Sequence, residues 1–112
     1  MKIRRYKADA MFSEYIRSRD KICQYCLKKA ATQVHHHFSR RYWATRFDPE
    51  NCAGFCFKCH RLLHENPAIQ VEWWTKRIGK KSWDAMWIRS NQVTKRDWKM
   101  AELIVKAMME EL

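Results

Sequence analysis

The stretch CQYCLKKAATQVHHHFSRRYWATRFDPENCAGFCFKCHRLLH, residues 23–64, decides how this chain is read, because it holds all five cysteines and all five histidines. Cys23-Gln24-Tyr25-Cys26 and Cys56-Phe57-Lys58-Cys59 form two C-x-x-C knuckles. Two intervening residues let both thiolates of a knuckle turn toward one ion while backbone N–H groups support the sulfurs. Four thiolates then complete the closed tetrahedral shell of a structural zinc. Cys23, Cys26, Cys56 and Cys59 are therefore expected to hold Zn²⁺ for folding, with no position left for water or substrate. Cys52 falls outside the pattern and reads as an ordinary buried thiol. The zinc would tie residues 23–26 to residues 56–59 and close the loop between them, which carries His35-His36-His37 and Asn51.

The segment ending near Thr32-Gln33-Val34-His35-His36 reads as a short strand, and Asn51 to Cys56 as a second one. Adjacent side chains on a strand point to opposite faces, so His35 and His36 are expected to do different work. One can bind a metal while the other stays free as a base. A neutral imidazole titrates near working pH and suits proton removal from water, provided a nearby carbonyl oxygen fixes its tautomer. Lys58 to Asn66 reads as a short helix, on which His60 and His64, four apart, face the same way.

In this order and spacing the residues resemble the HNH, or ββα-metal, endonuclease family in its zinc-stapled branch. Asn51 follows His36 by 15 positions, His60 follows Asn51 by 9, and His64 follows His60 by 4. More narrowly, residues 35–67, HHHFSRRYWATRFDPENCAGFCFKCHRLLHENP, are similar to phage recombination proteins of the NinG type and related phage HNH proteins. The resemblance implies an α+β fold: a small ββα-metal (HNH) core at about residues 20–66 with the four-cysteine zinc site, an N-terminal helix, and a helical C-terminal extension at about residues 67–112. It implies one domain over residues 1–112.

It also implies roles. His36 would be the general base and Asn51 would orient it. His35, His60 and His64 would hold one catalytic divalent ion, and His37, an apolar position in most relatives, would be structural. Many relatives carry Asp where His35 stands. Three neutral imidazoles suit Zn²⁺, Ni²⁺, Co²⁺ or Mn²⁺ better than Mg²⁺, which prefers oxygen ligands. The implied reaction is hydrolysis of a DNA phosphodiester to 5′-phosphate and 3′-hydroxyl ends, in phage DNA recombination or processing. Two other readings use the same residues: a zinc-stapled DNA-binding module without catalysis, and an accessory subunit of a phage DNA-processing machine. Neither needs the ordered His36, Asn51 and His60.

The composition agrees with a polyanionic partner. Lysine and arginine total 23 against 12 acids, a net charge of +11, and the excess is uneven. Residues 1–22 carry +4, residues 23–64 carry +5, and residues 65–112 only +2. Arg40, Arg41 and Arg46, in the loop between the two strands, are candidates for phosphate contacts. The opening MKIRRYKADA is basic with no apolar run behind it, and no segment approaches membrane-spanning length. The expectation is a bacterial-host cytoplasm, where cysteines serve more often as metal ligands than in disulfides.

Around the decisive stretch the pattern is helical. Ala8, Met11, Phe12, Tyr15 and Ile16 make one stripe over residues 8–19, with Asp9 near its N-terminus. Residues 39–50 read as a turn-like loop broken at Asp48-Pro49. Asn66-Pro67 reads as a cap and a first helical position; Val71, Trp74 and Ile78 share a face, and Gly79 ends that helix. A short helix is expected after Ser82. Thr94 with Asp97 resembles a capping box ahead of Trp98, Ala101, Val105, Met108 and Leu112. The tryptophans and late methionines are read as core.

Overall fold

A computed structural model describes residues 6–112, so half of the basic opening segment lies outside the described residues. The chain runs α1 (Lys7–Arg19), β1 (Gln33–His36), α2 (Trp43–Arg46), a 3-10 turn (Pro49–Asn51), β2 (Cys52–Phe55), α3 (Phe57–Glu65), α4 (Pro67–Ile78), α5 (Lys80–Ser90) and α6 (Trp98–Glu110). Among the described residues this is the expected α+β architecture: a two-stranded antiparallel sheet, six helices and a four-cysteine cluster, consistent with a ββα-metal core.

The register of the two strands positions everything else. Gln33 pairs with Phe55, Val34 with Gly54, His35 with Ala53, and His36 with Cys52. Cross-strand partners share a face, so the ribbon separates two cores. On the side of His35, Ala53 and Phe55 pack with Leu63, Trp74, Met86 and the cysteines. On the side of His36, Cys52 and Val34 pack with Phe12 and Ile16 of α1 and Val105 of α6. Cys52 is 1% exposed, the buried thiol expected of it. Trp74 is fully buried, and its indole N–H donates to the Glu50 carbonyl at 2.9 Å. Truncating so large a buried ring costs about 3–5 kcal/mol.

The outer edge of β2 is occupied and that of β1 is open. Gln24 N–H donates to the Gly54 carbonyl, and Gly54 N–H donates to the Asp20 carboxylate, each at 3.0 Å. Glycine is required at position 54 because a Cβ there would come within 3.0 Å of Ala31 Cβ and of the Asp20 side chain and carbonyl oxygen. Arg19 grips Asp20 with a fork and donates to the Pro49 and Cys52 carbonyls, fastening the end of α1 to the sheet.

Several sequence expectations are corrected. The loop at 39–50 contains the short helix α2 and the 3-10 turn, which Asp48 caps by accepting from Glu50 N–H. The helix after Gly79 starts at Lys80, ahead of Ser82, with Gly79 at φ +88 making the break that a side chain would resist. Asp97 alone caps α6, accepting from Met100 N–H at 2.9 Å, and Thr94 stands outside the cap. Val71 is 39% exposed and Leu112 63% exposed, so each lies off the buried stripe assigned to it. Trp87, also half exposed, departs from the core reading of the tryptophans.

Candidate metal and catalytic site

The four sulfurs of Cys23, Cys26, Cys56 and Cys59 all lie within 4.8 Å of one another. Zn–S bonds of about 2.3 Å in a tetrahedron put sulfurs about 3.8 Å apart, so the donor set fits a single ion. Local folding explains the convergence. After Cys23 the chain turns back, with Leu27 N–H donating to the Cys23 carbonyl at 2.9 Å and Leu27 in the left-handed region at φ +58. That turn aims the N–H groups of Lys28 and Lys29 at the Cys26 sulfur, and they lower its pKa to about 6. Cys56 stands at the N-terminus of α3, where the Cys59 N–H supports its sulfur and lowers its pKa as well. Burial, and then the neighbouring sulfurs, push the Cys59 thiol upward. Four crowded thiols resist holding four charges, and a dication removes that conflict.

Three histidines assemble beside α3, His60 directly after Cys59 and His64 one turn further on. His35, buried on β1, faces His60 and His64 of α3, with ring centroids 5.1 Å from His60 and 6.4 Å from His64. His60 and His64 are 6.3 Å apart. The Nε2 of His35 is buried with no hydrogen-bond partner. An unpartnered buried nitrogen is costly unless something takes its lone pair or proton, so the donor chemistry fits a divalent ion. The three rings are more widely spaced than the sulfurs, and exposure rises from His35 through His60 to His64. Burial holds the His35 pKa down to about 4, and burial followed by the neighbouring His64 lowers that of His60. Both rings are then neutral, as ligation requires.

His36 points to the other face, toward α1, with its ring 6.0 Å from Phe12. Its Nε2 donates to the Arg46 carbonyl at 3.0 Å. A carbonyl only accepts, so Nε2 carries the hydrogen and Nδ1 keeps the lone pair. Burial holds its pKa down to about 4, against the carbonyl bond that favours the protonated ring. His37 is locked differently: Trp83 N–H donates to its Nε2 at 2.9 Å, its Nδ1 donates to Gln70 at 2.7 Å, and its ring stacks on Trp74 at 4.9 Å.

Asn51 does not touch His36. It is fully buried, its oxygen accepts from Phe38 N–H at 2.8 Å, and its amide donates to the Phe38 and Thr45 carbonyls at 2.8 and 3.1 Å. It pins both ends of the loop that presents the Arg46 carbonyl to His36. The oxygen on the imidazole is thus a main-chain one, and Asn51 acts at one remove.

Arg46 is corrected more strongly. It is buried, and its fork grips Asp9 of α1 at 2.9 and 2.6 Å while its remaining nitrogen donates to the Arg40 carbonyl at 3.1 Å. Trp98 covers the guanidinium at 4.8 Å. Three of its five N–H donors are engaged inside the protein and the side chain is buried, which favours a structural role over a phosphate contact. Arg40 and Arg41 are exposed, Arg41 resting over the Tyr42 ring at 5.5 Å. Sequence reading missed Asp9, taken as a helix-end charge, because its partner lies 37 positions away.

Residues 23–66 match the family described as HNH endonuclease. No curated protein matches the chain, and no solved structure does. The match covers both knuckles, β1, β2 and α3, and it supports a nuclease, DNA-related function in general.

Proposed function

We propose that this protein is a metal-dependent endonuclease that hydrolyses DNA phosphodiesters, with His36 as general base. The observation that carries the reading is the pairing of His36, tautomer fixed by the Arg46 carbonyl, with the His35, His60 and His64 cluster whose buried Nε2 lacks a partner. The match of residues 23–66 to HNH endonucleases supports it.

His36 Nδ1 takes a proton from water, and the hydroxide oxygen bonds to phosphorus as the bond to the 3′ oxygen breaks. The leaving oxygen is protonated, giving 5′-phosphate and 3′-hydroxyl ends. His35, His60 and His64 would hold a divalent ion (Zn²⁺, Ni²⁺, Mn²⁺, Co²⁺ or Mg²⁺), which would supply charge stabilisation at the phosphate. Asn51 fixes the loop, Arg40 and Arg41 contact phosphates, and Cys23, Cys26, Cys56 and Cys59 hold a structural Zn²⁺. The positive first two-thirds of the chain supports a DNA substrate. The likeness of residues 35–67 to NinG-type proteins supports a role in phage DNA recombination or processing in the host cytoplasm. All of residues 1–112 act as one unit in this reading, since α6 packs on α1 on one face of the sheet.

Nicking of supercoiled plasmid across those five ions tests it. Wild type should nick in at least one, and His60→Ala should need far more ion for the same rate. Nicking by His60→Ala at unchanged ion dependence would remove His60 from the site, and absence of nicking in every ion would leave a DNA-binding module.

A further inference from the structure

A second cleft adjoins His36 from the side opposite the metal-ligating cluster. Its walls include Ser13 and Arg17 of α1, Thr32 and Gln33 entering β1, His36 itself, and Arg40. Ser13 and Arg17 are four apart on one face of α1, beside the Phe12 and Ile16 stripe that anchors the helix to the sheet. The cleft encloses about 400 Å³, within the usual range for a small ligand of about 300–1,000 Å³. It contains two guanidinium groups and no carboxylate among its lining residues. Arg17 and Arg40 are both exposed, and among the described residues neither forms an ion pair. Asp9, a buried acid of the same helix, is already bidentate to Arg46. His36 also belongs to the wall of the depression formed by His35, Ser39 and His64, so the two hollows meet at the proposed base.

We infer that this cleft is a phosphate site for the DNA strand, with Arg17 as its anchor and Ser13, Thr32 and Gln33 as hydrogen-bond partners, seating a phosphate that neighbours the one His36 acts upon. The inference rests on the nuclease reading for the word "neighbours" but not for the binding itself. It assigns a function to α1, which lies outside residues 23–66 and carries part of the positive excess of residues 1–22. An arginine fork paired with hydroxyl and amide groups is the chemistry of phosphate recognition.

A labelled short duplex DNA, followed by fluorescence anisotropy over a salt series in the His36→Ala background, tests this without cleavage. Each phosphate contact contributes about 0.9 to the slope of log affinity against log salt. Arg17→Gln should lower that slope by about 0.9 and weaken binding roughly tenfold at 0.1 M salt. Arg17→Lys should keep the slope, and Lys76→Gln on α4, which removes the same charge elsewhere, should change neither. An Arg17→Gln protein that binds with unchanged slope, or loses no more than Lys76→Gln does, overturns the inference. If wild type fails to nick while Arg17→Gln still lowers the slope, the nuclease reading fails and the phosphate site stands. If wild type nicks and the slope is unmoved, the reverse holds.

Discussion

The cysteine cluster and the histidine cluster that share α3 are built on opposite terms. The four sulfurs come from a turn and a helix N-terminus, with backbone N–H groups aimed at Cys26 and Cys56. The three imidazoles come from a strand and a helix, grade from buried to exposed, and leave one nitrogen unpartnered. A closed shell of thiolates spends all its coordination on the protein and so serves folding. An open set of imidazoles, on the reading proposed above, would keep room for a phosphate and a water and so serve chemistry. The difference teaches where stability and the proposed activity would separate in this molecule, and substitutions in each cluster should break one without the other.

The largest effect is expected at the thiolates. Cys59→Ser, or zinc removal by a strong chelator, should abolish cooperative folding, because structural zinc supplies on the order of 10–16 kcal/mol in small zinc modules. Circular dichroism with zinc quantification checks it, and a folded Cys59→Ser protein would dissolve the contrast.

Next comes the Asp9–Arg46 pair, buried on both sides, with Arg46 10% and Asp9 6% exposed. Asp9→Ala strands the guanidinium and should cost about 3–5 kcal/mol, read as a shift in the urea midpoint. It should also slow nicking, because Arg46 presents the carbonyl that fixes His36.

Acid should act on the histidine cluster. Burial holds the His35 pKa at about 4, below its ordinary 6.5. The unfolded chain therefore binds the proton first, and stability present above pH 6.5 is lost as pH falls toward 4. Between about pH 7 and about pH 5 this amounts to on the order of 2 kcal/mol for the ring. His35→Gln should lose less stability than wild type over that window in urea titrations; an equal loss would show that the ring is not buried neutral.

Leu27 sharpens the thiolate side. It is 68% exposed and sits at φ +58, a conformation that costs a side chain about 1–2 kcal/mol. Leu27→Gly should therefore raise the melting temperature, by the equivalent of about 1 kcal/mol after the extra freedom of glycine in the unfolded chain is subtracted. The smallest effect on folding belongs to His64→Ala, within about 0.5 kcal/mol for an exposed position, while calorimetric titration should show weakened binding of the catalytic ion.

Much of this was legible in the residues. The knuckle spacing located the sulfurs, and the stripe of Ala8, Phe12 and Ile16 located α1 with one residue's difference at its start. Strand alternation separated His35 from His36 correctly, because period two follows from backbone geometry. What stayed hidden depended on long-range pairing. Nothing local to Arg46 announces that Asp9 will consume its fork, and nothing local to Asn51 tells that its amide will bind Phe38 and Thr45 rather than an imidazole. Arg17 was hidden for the same reason: its neighbour His36 is brought beside it only by the packing of α1 on the ribbon.

Plasmid nicking by His36→Ala, at saturating ion and with zinc counted per chain, tests the central claim most directly. Loss of nicking with about one zinc retained per chain and normal folding is the result expected of a base whose removal leaves the thiolate cluster intact. Substantial nicking by a folded His36→Ala protein would contradict the account.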